Sequence, residues 1–164
     1  MNLLDSIKNK ITTTENAATI LQAWRDEKCK IVFTNGCFDI IHLGHVDYLS
    51  KAASLGQKLV IGLNTDASVS RIKGPSRPIN DQLARAMILA SFSFVSMIIY
   101  FDDPTPYNLI FQVQPDVLVK GADYRKEDIV GYDIVMAKGG EVTTLEYLPG
   151  YSTSAIEKRI LERN

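Results

Sequence analysis

Apolar residues run through this chain in two rhythms. Apolar-rich stretches that read as strands recur at Ile31-Val32-Phe33, Lys58–Asn64, Val95–Phe101, Val117–Lys120 and Val142–Tyr147. Lys58–Asn64 and Val95–Phe101 show no polar alternation through the middle, as expected of strands covered on both faces of a parallel sheet. Between them apolar residues return every three or four positions, which predicts helices. One helix is expected from about Thr13 to Glu27, carrying Ala17, Ile20, Leu21 and Trp24, with Thr12 and Glu15 forming a capping box. Another opens at His42, shows Leu43, Val46, Leu49 and Ala53 on one face, and stops at Gly56.

Further helices are expected after Asn64-Thr65-Asp66, after an Asn80 or Asp81 cap, from Pro104 or Pro106 to Val113, over 125–138, and from a Ser152 cap over Thr153–Glu162. Residues 1–11 fit no period. Strands alternating with helices about five times predict an α/β fold. The expected architecture is a Rossmann-like doubly wound, mainly parallel five-stranded sheet with helices on both faces. A single domain spans 1–164, with 1–29 as a helical extension before a core at 30–164. Such sheets bind ligands beyond the carboxyl ends of their strands. Three polar clusters fall there: Thr34–His45, Asn64–Asp66 and Lys120–Asp123.

Composition narrows the class only a little. The chain has 164 residues, 46% hydrophobic and 23% charged, close to an average soluble protein. A formal charge of −1 gives no basic excess that would argue for nucleic acid. No apolar run approaches the ~20 residues that span a bilayer, and no signal peptide is visible at the N-terminus. Two cysteines, Cys29 and Cys37, make no disulfide framework, so a reducing cytoplasm is the simpler expectation.

The candidate chemistry is concentrated after the first long strand. His42 and His45 are the only histidines, three residues apart at an expected helix start, behind a turn containing Gly36. Free N–H groups and the helix dipole attract phosphate there, and two imidazoles can both donate to it. A metal site is the rival reading, but no third Cys or His stands at ligand spacing. Lys73 and Arg77 lie on an expected Gly/Pro loop, Ile72–Pro78, and Lys73 could close over a phosphate. Arg77 and Arg85 are phosphate clamps or surface ion-pair residues in equal measure. Cys37 is expected to be a small turn residue rather than a nucleophile.

The run Gly36-Cys37-Phe38-Asp39-Ile40-Ile41-His42-Leu43-Gly44-His45 resembles the signature of the cytidylyltransferase-like nucleotidyltransferases. The likeness extends from Lys30 to about Ile160. Phe33–Asp39, Lys73–Ile79, Val119–Tyr124 and Gly150–Ser154 are similar to the branch that adenylylates heptose phosphate in bacteria. Pro149-Gly150-Tyr151 stands where plain CTP enzymes carry an Arg-Thr pair, which favours that branch.

The resemblance implies transfer of AMP from ATP to a heptose 1-phosphate. His42, His45 and Lys73 are then catalytic. Asn35, Gly36, Cys37, Phe38, Lys120, Gly121, Asp123, Ser152 and Thr153 bind the nucleotide, with Asp123 on the ribose. Asp39, Asp66, Arg77 and Arg85 serve the acceptor. Mg²⁺ is held mainly by the triphosphate, with no protein side chain as ligand. A homodimer is implied, and a separate heptose kinase, with neither nucleic acid nor membrane as partner. Transfer from CTP or GTP to another phosphorylated alcohol or sugar, and a non-catalytic nucleotide-binding module, are the competing readings.

Overall fold

A computed structural model describes residues 2–162. Its centre is a six-stranded, all-parallel sheet: β1 (Ile11–Thr12), β2 (Ile31–Gly36), β3 (Lys58–Asn64), β4 (Met97–Phe101), β5 (Val117–Gly121) and β6 (Glu141–Leu145), in the order β1-β4-β3-β2-β5-β6. The sheet thus has one strand more than expected. The extra one, β1, is two residues long and pairs Ile11 and Thr12 with Ile98 and Ile99. A two-residue strand carries no readable period, which is why the sequence hides it.

Helices follow the strands: α1 (Leu3–Lys8), α2 (Thr14–Asp26), α3 (Leu43–Ala53), α4 (Asp66–Lys73), α5 (Gln82–Ser91), α6 (Tyr107–Val113), α7 (Tyr132–Ala137) and α8 (Thr153–Leu161). The cap of α2 is Thr13, whose hydroxyl accepts from Asn16 N, one residue later than the expected Thr12. The helix expected over 125–138 is a 3₁₀ turn at Lys126–Asp128 followed by α7. Gly131, at φ +90°, separates them, a backbone angle that breaks helical continuity.

Each face of the sheet is covered by its own core. Phe33, Val60, Ile99 and Leu118 pack with Ala17 and Leu21 of α2, Ile110 and Val113 of α6 and Val135 of α7. On the other face Val32, Ile61, Ile98 and Val119 pack with Leu49 and Ala52 of α3 and Ala86, Leu89 and Ala90 of α5. Burial on both faces explains the lack of alternation along β3 and β4. Fully burying one such aliphatic side chain stabilises by roughly 1.5–3 kcal/mol, so the double core pins the sheet register. The strand order reverses direction between β2 and β5, and the carboxyl ends of those two strands open into a crevice.

Candidate active site

A cavity of about 430 Å³ fills that crevice, lined from β2 by Asn35 and Gly36, from the turn after it by Cys37 and Phe38, from α3 by Gly44, His45 and Tyr48 beside the cap residue His42, from β5 by Lys120 and Gly121, and otherwise by Lys73, Tyr124, Tyr147, Tyr151, Ser152 and Thr153. Two imidazoles and two ammonium groups meet there, and no carboxylate is among the lining residues. Such a donor set suits a polyanion.

The turn from β2 into α3 aims the histidines. Phe38 adopts φ +48° and is buried, turning the chain sharply. A Cβ on Gly36 would lie 2.9 Å from the Phe38 ring, so a larger residue would push that ring aside. His42 and His45 then stack, with centroids 3.8 Å apart and planes 25° from parallel. The Phe38 ring meets His45 edge-on at 5.3 Å. His42 N donates to His45 Nδ1 at 3.4 Å, which leaves Nε2 of the neutral ring as the proton carrier. Burial lowers His42 below its ordinary pKa. Burial, helped by the neighbouring charges of His42 and Lys73, lowers His45 to about 4. The cavity lining is short of negative charge, which a bound phosphate would supply. Two buried polar atoms, Asn35 Oδ1 and His42 Nδ1, have no partner among the described residues; a ligand is the ordinary remedy for such groups.

Lys73 faces the cavity as the last residue of α4, rather than on the loop after it. Gly74 follows at φ +99° and turns the chain away. Lys120 lies low in the crevice, 5.9 Å from the Tyr124 ring centroid and 3.5 Å from the Asn35 carbonyl, and burial lowers its pKa. The N-terminus of α8 also lines the cavity, and there Ser152 Oγ accepts from Ala155 N.

Four expected acceptor contacts are placed elsewhere. Asp39, 2% exposed, turns its carboxylate to the 77–80 loop: it accepts from Ile79 N and Asn80 N at 2.8–2.9 Å and from Arg77 Nη1 at 2.9 Å. Burial would raise this carboxyl, but the Asn80 and Ile79 N–H groups and Arg77 hold it below its ordinary value. Arg85 is fully buried and gives its donors to Asn80 O, Cys37 O, Asn64 O and Asp66 Oδ1. It therefore holds the ends of β2 and β3 together and cannot reach a ligand. Asp66 is the partner of that buried cation, and Arg77 is committed to Asp39 and Glu157. Asp123 is exposed beside the rim, where its charge adds to the burial that raises Tyr147. Burial also raises the Cys37 thiol despite the cations of Lys73 and Arg85, which keeps it protonated and unreactive.

Tyr48, Tyr124, Tyr147 and Tyr151 are wall residues that sequence reasoning gave no role. Tyr48 fits the helical period of α3 and reads as core; its hydroxyl meets Thr34 at 2.9 Å. The other three stand on loops beyond strand ends, where no period marks them.

The sheet is doubly wound, and the paired histidines stand at its switch point. The chain belongs to the cytidylyltransferase-like family, whose model matches residues 33–159, and it is a nucleotidyltransferase. It is 53% identical over 153 residues to the bifunctional protein HldE of Campylobacter curvus, covering 93% of this chain and 31% of that protein. It is 49% identical over 147 residues to HldE of Nitrobacter hamburgensis, covering 90% and 30%. The chain thus spans about a third of the length of these relatives. A lipopolysaccharide core biosynthesis protein of Thermoplasma volcanium superposes with a TM-score of 0.58 at 26% identity, covering 73% of this chain and 97% of that one. Pantoate-beta-alanine ligase of Francisella tularensis shares the fold, with a TM-score of 0.61 at 14% identity over 93% of this chain and 77% of that one. No helix among the described residues is long and apolar enough to cross a membrane.

Proposed function

We propose that this nucleotidyltransferase moves AMP from ATP to D-glycero-β-D-manno-heptose 1-phosphate, releasing pyrophosphate and forming ADP-heptose. The stacked His42–His45 pair, sharing one cavity with Lys73 and with no carboxylate among the lining residues, carries the nucleotide part of this reading. The acceptor rests on the motif likeness, on the identity to the HldE proteins, and on the likeness to the lipopolysaccharide core biosynthesis protein of Thermoplasma volcanium.

The chemistry asks for little covalent help. A sugar phosphate has its second pKa near ~6 and is largely a dianion at neutral pH. One of its oxygens forms a bond to the α-phosphorus while the bond from that phosphorus to the β-bridging oxygen breaks. Charge neutralisation and in-line positioning then set the rate. In this reading His42 and His45 donate to the α- and β-phosphates. Lys73 bridges donor and acceptor phosphates, and Lys120 offsets charge at the base of the crevice. The N-terminus of α8, with Ser152 and Thr153, receives the leaving pyrophosphate. When bound, Mg²⁺ would be carried by the triphosphate and would supply charge neutralisation there, beside the donors of His42, His45 and Lys73. A sugar 1-phosphate acceptor requires a kinase-type reaction upstream. The homodimer implied by the resemblance remains part of the proposal, with light scattering as its check.

A panel of ATP, CTP and GTP, each with Mg²⁺ and the heptose 1-phosphate, tests the proposal through pyrophosphate release. Release with ATP alone, and formation of the nucleotide sugar, is the expected outcome. Preference for CTP or GTP overturns the adenylyl assignment, and nucleotide binding without release under any pairing overturns turnover itself.

A further inference from the structure

Three walls of the cavity come from segments far apart in sequence: the β2–α3 turn, the end of α4 and the start of α8. One side chain touches the support of all three. Arg77 lies on the loop that returns from Lys73, and its side chain is 17% exposed. One of its guanidinium nitrogens meets Asp39, in the β2–α3 turn, at 2.9 Å. The other meets Glu157, in the second turn of α8. The loop end is further fixed by Asn80 Nδ2, which donates to Asp39 O at 2.7 Å.

Helix α8 needs such an anchor. It has no fully buried residue, and among the described residues the Arg77–Glu157 contact is the one ion pair between it and the rest of the fold. Yet its cap Ser152 and first residue Thr153 line the same cavity as Lys73. Arg77 is shared between two carboxylates, one wholly buried, so its donors are engaged before any phosphate arrives. A planar guanidinium can hold two carboxylates in one fixed geometry, which an ammonium cannot do.

We infer that Glu157 is a positioning residue: through Arg77 it latches the N-terminus of α8 to the histidine turn and the Lys73 loop, setting the spacing in which the polyphosphate is gripped. The inference rests on the proposed use of Ser152 and Thr153 as a phosphate site. It gives Arg77 the role of a strut rather than a substrate contact. Breaking the latch leaves His42, His45 and Lys73 in place and loosens the far wall. The loss then falls on nucleotide affinity more than on the chemical step.

The test compares Glu157→Ala, Glu157→Gln, Arg77→Ala and the Arg77→Ala/Glu157→Ala double variant. Readouts are inorganic pyrophosphate affinity by calorimetry, KM for ATP and kcat for pyrophosphate release, with thermal melting to show that each variant is folded. Glu157→Ala is expected to weaken pyrophosphate binding and raise KM about tenfold, the scale of one charge-assisted contact, with kcat within about twofold. Glu157→Gln, which still accepts a hydrogen bond from Arg77, is expected to recover most of that loss. The double variant is expected to bind pyrophosphate no worse than Arg77→Ala alone. Additive losses in the double variant would make Arg77 a direct phosphate ligand and overturn the latch. Unchanged affinity in a folded Glu157→Ala variant would overturn it as well. If the wild-type protein binds neither pyrophosphate nor ATP, the functional reading fails instead, before the latch is tested.

Discussion

At the scale of single residues, the same charge reads differently once its surroundings are known. Arg85 belongs to a helical period with Ala86, Leu89 and Ala90, and a cation in such a helix ordinarily points to solvent. Here it is fully buried and pairs with Asp66 while holding three carbonyl oxygens. Nothing local in the sequence distinguishes that arrangement from a surface ion pair, because three of its acceptors are backbone groups brought together by β2, β3 and the loop before α5. Asp39 is hidden for the same reason: two of its donors are the N–H groups of Ile79 and Asn80, forty residues away. The histidines, by contrast, were legible, since their spacing, the preceding strand and the helix start are all local. His45→Ala is expected to reduce kcat by roughly two to three orders of magnitude, the scale for losing a preorganised contact to developing charge. Steady-state pyrophosphate release measures it, with melting temperature as the control for folding; a variant that keeps near wild-type kcat removes His45 from the chemistry.

At the scale of elements, the five long strands and the main helices follow from period and caps: α3 begins one residue after the expected opening at His42, Asp81 is the one of the two expected residues that caps α5, and Ser152 caps α8. Misses fall where an element is too short to carry a period or where a loop supplies the wall. The end of β5 illustrates the second case. Gly121 closes the strand, and a Cβ built there would lie 1.9 Å from Tyr147 Oη and 2.2 Å from its ring. The Tyr147 ring, half exposed, therefore occupies the space a side chain at 121 would take, and the glycine lets the cavity wall sit close to the strand. Gly121→Ala is expected to displace the tyrosine, raising KM for the nucleotide roughly tenfold, as small misplacements of a binding wall do. Because the ring can swing outward, the melting temperature is expected to fall by no more than about 2 °C. Adding Tyr147→Ala to Gly121→Ala separates the two effects. Recovery of KM in the double variant places the loss in the collision. Persistence of the loss places it in β5 itself.

At the scale of the whole molecule, a chain of formal charge −1 keeps two lysines and two histidines around one cavity and its carboxylates elsewhere. The parallel sheet makes this separation possible, since every strand delivers its C-terminal loop to the same edge. Concentrated positive charge carries a consequence for pH. His45 has a pKa of about 4 in the folded protein against an ordinary 6.5, because burial and the charges of His42 and Lys73 disfavour its cation. Between those values the unfolded chain binds more protons than the folded one, so stability rises with pH across that window and is level above it. Falling pH therefore costs stability from about 6.5 down to about 4. A polyphosphate reverses the local balance by stabilising the imidazolium, so its binding draws in a proton near pH 6 and tightens as pH falls. Denaturant melts of wild type and His45→Gln from pH 4 to 8 test the first half: their stability difference is expected to change below 6.5 and to be constant above it. Pyrophosphate titrations at pH 6 in two buffers of different ionisation enthalpy test the second, with greater proton uptake expected for wild type than for His45→Gln. Parallel stability profiles and equal proton uptake would show that His45 titrates independently of both folding and the ligand.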